Sequence, residues 1–156
     1  MGSRLHRRMC GRTHATGDCN VRLQLRGYSA RKSKVKIQLA GSFKELIVWQ
    51  RAIELSLAVY KLTASFPPDE RFGLTNQLRR ASVSIASNIA EGYGRSSKGE
   101  YLQFLGHARG SNCEVQTQLV IANGLGFGLE TKRRDAERLC DEIGRMLVVI
   151  MRKLRV

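Results

Sequence analysis

GLTNQLRRASVSIASNIAEGYG, residues 73–94, is the stretch whose spacing decides the fold of this chain. Within it Leu74, Leu78, Ala81, Ile85 and Ile89 recur every three or four positions, the rhythm of one face of an α-helix. No apolar–polar alternation of the kind a half-buried strand needs competes with it. Gly92 and Gly94 close the stretch, and glycine suits a left-handed helix cap.

The same rhythm continues on both sides. Upstream, Ser42 and Glu45 have the S-x-x-E spacing of a capping box, in which hydroxyl and carboxylate satisfy helix-end amides. Leu46, Trp49, Ile53, Leu57 and Tyr60 then form an apolar stripe expected to face the core, and Phe66-Pro67-Pro68 ends that helix. Downstream, Ser97 and Glu100 form a second capping box. It opens a helix whose stripe is Tyr101 with Leu102, then Leu105, Ala108, Asn112, Val115, Leu119 and Ala122. Gly124, Gly126 and Gly128 make a turn. Thr131 is the expected N-cap of a last helix, with Ala136, Cys140, Ile143, Leu147, Ile150 and Leu154 on its apolar face. Four amphipathic helices of about 20–28 residues, roughly 30–40 Å each, predict an all-α protein. Short turns between them predict an antiparallel up-down-up-down four-helix bundle over 43–156.

Composition bounds the rest. Of 156 residues, 42% are apolar, enough for a packed core, and the net charge is +14. The charge is uneven: 1–42 hold ten basic residues and one acid, whereas 43–156 hold seventeen and twelve. With no sustained periodicity, 1–42 are expected to be a disordered basic tail, and a start-site extension upstream of the native first residue. The longest run of large apolar residues, Met146 to Met151, is bracketed by Arg145 and Arg152 and falls far short of the roughly 20 a membrane span needs. No apolar block of secretory length follows the basic N-terminus. A cytoplasmic protein with no membrane partner is expected. Cys10, Cys19, Cys113 and Cys140 show no disulfide framework, and Cys113 and Cys140 read as small buried apolar residues.

Three segments together resemble a known family: FKELIVWQRAIELSLAVYKLT, then FPPDERFGLTNQLRRASVSIASNIAEGYGR, then SKGEYLQFLGHARGSNCEVQTQL. They are similar to the bacterial four-helix-bundle family named for proteins encoded in intervening sequences of 23S ribosomal RNA genes, also called S23 ribosomal proteins. The resemblance runs from about Phe43 to Arg155. It implies a left-handed four-helix bundle, assembly into a homopentamer, and kinship with the accessory variability determinant of diversity-generating retroelements, a basic pentamer that works with nucleic acid and a reverse transcriptase. The chain departs from the family pattern at Ala86, where proline is usual, at Lys132, Arg133 and Arg134, where acids are usual, and at Asn112-Cys113, Gly106 and Gly110.

The charged and reactive residues fall into a few groups. Arg79, Arg80, Arg95, Lys98 and Arg109 are the candidate nucleic-acid-binding set, against a bland reading as a solvated face. Aromatics are only 6% of the chain, so stacking of single-stranded bases is not expected, and binding through phosphates should be salt-sensitive and unspecific. Lys132, Arg133 and Arg134 oppose the dipole of the last helix, but Glu130 with Arg134 and Arg133 with Glu137 have i,i+4 spacing that offsets this. Asn88 and Glu91 share a polar stripe with Arg80, Ser84 and Ser87, read as structural. His6, Cys10, His14 and Cys19 lack the tight pairs of a zinc site, so no metal and no cofactor are expected. His107 stands alone on its helix. No nucleophile–base pair emerges, so the protein is expected not to be an enzyme. Two readings remain: a homo-oligomeric accessory bundle binding RNA, DNA or a nucleic-acid enzyme, and a structural or interaction bundle, or a mobile-insertion relic, without a specific ligand.

Overall fold

The computed structural model describes residues 41–156. Four α-helices follow one another: α1 (Ile47–Thr63), α2 (Leu74–Tyr93), α3 (Lys98–Gly124) and α4 (Glu130–Arg155), with 3-10 turns at Phe43–Glu45 and Pro68–Arg71. No strand occurs among the described residues. The basic segment singled out in the sequence lies outside them, apart from Gly41 and Ser42.

α1 packs on α2 and α4, and α3 packs on the same two helices, so each helix has two neighbours. The contacts pin the register. Between α1 and α2, Ser56 Oγ lies 3.0 Å from Ser82 O, as it does from Ala52 O within its own helix, and Arg79 Nε donates to Thr63 Oγ1 at 2.9 Å. Ser111 Oγ meets Ser84 Oγ at 3.0 Å across the α2–α3 seam. Between α3 and α4, Asn112 Nδ2 donates to Cys140 O at 3.0 Å and Gln116 Nε2 to Asp141 Oδ1 at 3.1 Å. Arg51 pairs with Glu142 at 3.0 Å between α1 and α4, and Lys132 Nζ donates to Lys61 O at 3.2 Å.

The apolar stripes expected for α2, α3 and α4 meet in one core. Leu78, Ile85, Ile89, Leu105, Val115, Leu119, Ile143 and Leu147 are fully buried. Each such side chain contributes roughly 1.5–3 kcal/mol by leaving water. Ile150 alone of the α4 stripe is half-buried rather than buried.

α1 departs from expectation. Its inward line is Val48, Ala52, Leu55, Val59 and Leu62, while Leu57 and Tyr60 are 57% and 47% exposed and Trp49 and Ile53 sit half-buried on the flank. Both lines have helical spacing. The smaller residues win because they let α1 approach α2 and α4 closely, and Tyr60 is instead covered by the Arg79 guanidinium, 4.7 Å from its ring centre.

The helix ends also differ in detail. Ser42 caps the Phe43–Glu45 turn, accepting from Lys44 N at 3.3 Å, rather than opening α1, which has no side-chain cap. The Ser97 box holds: Ser97 Oγ accepts from Glu100 N at 3.1 Å and donates to the Glu100 carboxylate at 2.7 Å. Thr131 is not a cap, because α4 already begins at Glu130 after Leu129. Gly94 is right-handed, so no left-handed cap ends α2. The positive φ angles fall at Gly126 (71°) and Gly128 (77°), in the turn between α3 and α4. Gly92 serves close packing instead: a Cβ there would lie 2.7 Å from Phe104 Cβ. Cys140 is buried as expected, but Cys113 is exposed on α3.

Candidate nucleic-acid interface

The five cations singled out in the sequence do not converge on one patch. Arg79 is half-buried, committed to Thr63 and to the Tyr60 ring. Arg95 is ion-paired with Glu91 and lies over the Phe104 ring, 4.7 Å from its centre. Arg80, Lys98 and Arg109 are exposed and carry no ion pair among the described residues. Arg80 lies thirteen residues before Tyr93, the last residue of α2, so about 20 Å of helix separates it from the end of α2 that Arg95 follows. It lines a shallow groove along the outside of α2 with Gln77, Ser84 and Glu114, continuous with one formed by Tyr60, Asn76 and Val83.

The polar stripe of α2 divides in two. Ser84 and Asn88 are half-buried against α3: Asn88 Nδ2 donates to Ser84 O at 2.8 Å and to Ser84 Oγ at 3.0 Å, and Ser111 closes the cluster. Arg80, Ser87 and Glu91 stay at the surface. The Asn88 bonds lie within α2 and orient its amide, while the Ser84–Ser111 bond crosses to α3 and favours this alignment of the two helices.

Along α4 the cations fall into two classes. In the first half every one of the three arginines has a carboxylate within its helix. Arg133 pairs with Glu137 at 2.5 Å, Arg134 pairs with Glu130, and Arg138 reaches Glu142 at 3.9 Å. The i,i+4 spacing expected for the first two is therefore realised. In the second half, Arg145, Arg152, Lys153 and Arg155 have no ion pair among the described residues. None of these four belongs to the candidate set chosen from the sequence. The signal was present: 143–156 contain four cations and no acid.

Nothing in the described residues assembles reactive chemistry. No group of three or more His, Cys, Asp or Glu side chains is placed to hold a metal. The His6, Cys10, His14 and Cys19 set lies outside the described residues. His107 is exposed, its ring edge-on to Phe104 at 5.9 Å. Burial, with lesser effects of Asp141 and Glu137, pushes the Cys140 thiol up to about 12, which keeps it protonated and unreactive at neutral pH. No helix of the described residues is long and apolar enough to cross a membrane.

Against known structures, the fold is similar to a protein of unknown function from the S23 ribosomal protein family of Bacteroides thetaiotaomicron VPI-5482. The TM-score is 0.61 at 19% identity, over 67% of this chain and 98% of that one. No curated protein matches the chain. The model of the 23S rRNA-intervening sequence protein family matches residues 44–149, which span all of α1, α2 and α3 and most of α4. The chain thus belongs to the 23S rRNA-intervening sequence protein family.

Proposed function

We propose that this protein is a non-enzymatic, cytoplasmic up-down-up-down bundle that self-associates and holds nucleic-acid phosphates on its basic surface without reading sequence. The observation that carries the reading is uncompensated charge: Arg80, Lys98, Arg109, Arg145 and Arg152 are exposed without an ion pair among the described residues. Lysine and arginine released from internal pairing are what a phosphate backbone displaces its counterions for. Of the set chosen from sequence, Arg80, Lys98 and Arg109 are the members able to serve. Arg79 and Arg95 act through packing and would need to abandon a partner. The antiparallel arrangement is supported by contacts in which residue numbers rise along one helix as they fall along the next, as in Thr63 with Arg79 and Ser56 with Ser82.

Self-association has its own support, the outward Leu57, Tyr60 and Val83 beside half-buried Trp49 and Ile53. A homopentamer is the assembly that the family resemblance implies.

The test is fluorescence anisotropy of labelled RNA and DNA with the full chain, and with a variant in which the ten bases of 1–42 are replaced by glutamine. Binding that survives the replacement and weakens linearly with log salt supports the reading. Binding that vanishes with those ten charges leaves only a basic segment attracting polyanions. The structural-bundle reading would then stand in its place.

A further inference from the structure

One hydrogen bond across the α3–α4 seam sets the register that places Arg109. Gln116 on α3 donates to Asp141 on α4 at 3.1 Å. Arg109 lies seven residues before Gln116, two turns away and nearly on the same line of α3. Moving two turns the other way from Asp141 along α4 reaches Val148, which lies between Arg145 and Arg152. These two arginines are themselves seven residues apart, so they share a face at about 10.5 Å spacing. Lys98, which opens α3, lies at the end of the bundle where Arg155 closes α4, because the two helices pack together away from the turn that joins them.

We infer that Arg109, Arg145 and Arg152, extended by Lys98 and Arg155, form a phosphate-tracking ridge on the α3–α4 seam that binds the backbone of a double-stranded nucleic acid. The inference rests on the nucleic-acid reading above and assigns it a place and a ligand. Three arginines gathered around Val148 without an ion pair among the described residues repel one another, and a polyanion laid across them removes that repulsion. The carboxylate one turn before Arg145, Asp141, is engaged by Gln116. Helix-end electrostatics account for Arg152, Lys153 and Arg155, which sit near the C-terminal end of α4. They do not account for Arg145, three turns from that end, nor for Arg109, in the middle of its helix, because the dipole effect fades within the last turn. Arg133, Arg134 and Arg138 on the same helix all have carboxylate partners, so the uncompensated half is a local feature and not the habit of the helix.

The ligand follows from what surrounds the cations. The exposed apolar groups on the ridge are Val148 and Val149, both aliphatic. The exposed aromatics Tyr60 and Phe72 lie on α1 and before α2. With no ring to stack an unpaired base, the ridge favours bases already stacked in a duplex. Its 10.5 Å spacing is close to the roughly 12 Å width of the B-DNA major groove, whose two edges are lines of phosphate.

The experiment is arginine footprinting with phenylglyoxal on the full chain, read by mass spectrometry. The probes are a 20-base-pair DNA duplex, the matching RNA duplex, each single strand, and vesicles of phosphatidylserine and phosphatidylcholine. The DNA duplex should protect Arg109, Arg145 and Arg152 and leave Arg71, in the turn before α2, reactive. Protection by the DNA duplex only identifies the sugar and supports the ridge. In parallel, R109Q/R145Q/R152Q should lower the salt-dependence slope of duplex binding by about 0.9 for each phosphate left unneutralised, so by roughly 2–3, with an unchanged helical signal. Duplex binding without protection on the ridge overturns this inference while the general reading stands. Equal protection by single strands, or tighter binding to the anionic vesicles than to duplex, also overturns it. Absence of any nucleic-acid binding at low salt removes both.

Discussion

Gly92 shows how a single hydrogen in place of a methyl group sets the distance between α2 and α3. A Cβ at this position would stand 2.7 Å from Phe104 Cβ and 3.0 Å from Tyr101 Cδ2. Phe104 Cβ is fixed to the backbone of α3, so relief requires the helices to separate. Gly92→Ala should therefore cost about 1–3 kcal/mol in urea unfolding, the usual penalty for overpacking. Gly110 is the control, because a Cβ there meets nothing within 4 Å. Gly110→Ala should stabilise by about 0.5–1 kcal/mol, and a loss instead would mean that this face of α3 is covered in solution. Titration gives a second residue-scale expectation. Burial raises the Tyr101 phenol from 10.0 to about 12, with Tyr93 adding to it, and the Cys140 thiol from 9.0 to about 12. Above pH 9 the unfolded chain gives up protons that the folded chain keeps, so stability present below pH 9 is lost as pH rises toward 12. The unfolding free energy from urea titration should fall steadily from pH 9 toward 12, by on the order of 2–4 kcal/mol per group at completion. Cys140→Ala should flatten the earlier part of that fall.

At the scale of the helix, α1 is where the apolar spacing gives the right period and the wrong phase. Val48, Ala52, Leu55, Val59 and Leu62 repeat as regularly as Leu46, Trp49, Ile53, Leu57 and Tyr60, and the second set is bulkier. Bulk is a poor guide when a helix must nest between two others, because small side chains bring the axes together and the total buried area rises. Two substitutions separate the faces. Leu55→Ala removes a fully buried side chain and should cost about 2–5 kcal/mol, whereas Leu57→Ala should change monomer stability by less than about 0.5 kcal/mol. Equal costs would restore the original phase. α2 and α3 were legible because each carries only one regular apolar line. The ends were less so. Capping letters at Ser97 and Glu100 found a helix start, but the same letters at Ser42 and Glu45 found only a 3-10 turn. The candidate site was legible as composition and not as place: adjacency in sequence brought Arg79 to attention, yet its neighbours Thr63 and Tyr60 on α1 had already claimed it. Which cations lack a carboxylate is a property of the folded surface.

On the proposed reading, the whole molecule combines two surfaces with opposite responses to salt. The chain carries +14, so copies repel at low ionic strength, while Leu57, Tyr60 and Val83 offer apolar area on the outside of α1 and α2. Val83 and Tyr60 line the same groove, so their exposed areas are continuous. An association driven by that area should persist or strengthen between about 0.1 and 0.5 M salt, because screening removes the repulsion and leaves apolar burial intact. Nucleic-acid binding should weaken over the same range, because its driving force is counterion release. Sedimentation velocity should then show an assembly that is retained at the higher salt, and the pair Leu57→Glu with Val83→Glu should reduce it to monomer with an unchanged far-ultraviolet spectrum. If salt alone dissolves the assembly, charge contacts hold it and the outer face of α1 is not its seat. If the double substitution also abolishes duplex binding, the cationic ridge depends on neighbouring copies for its strength, since several weak ridges on one assembly engage a duplex as a multivalent surface.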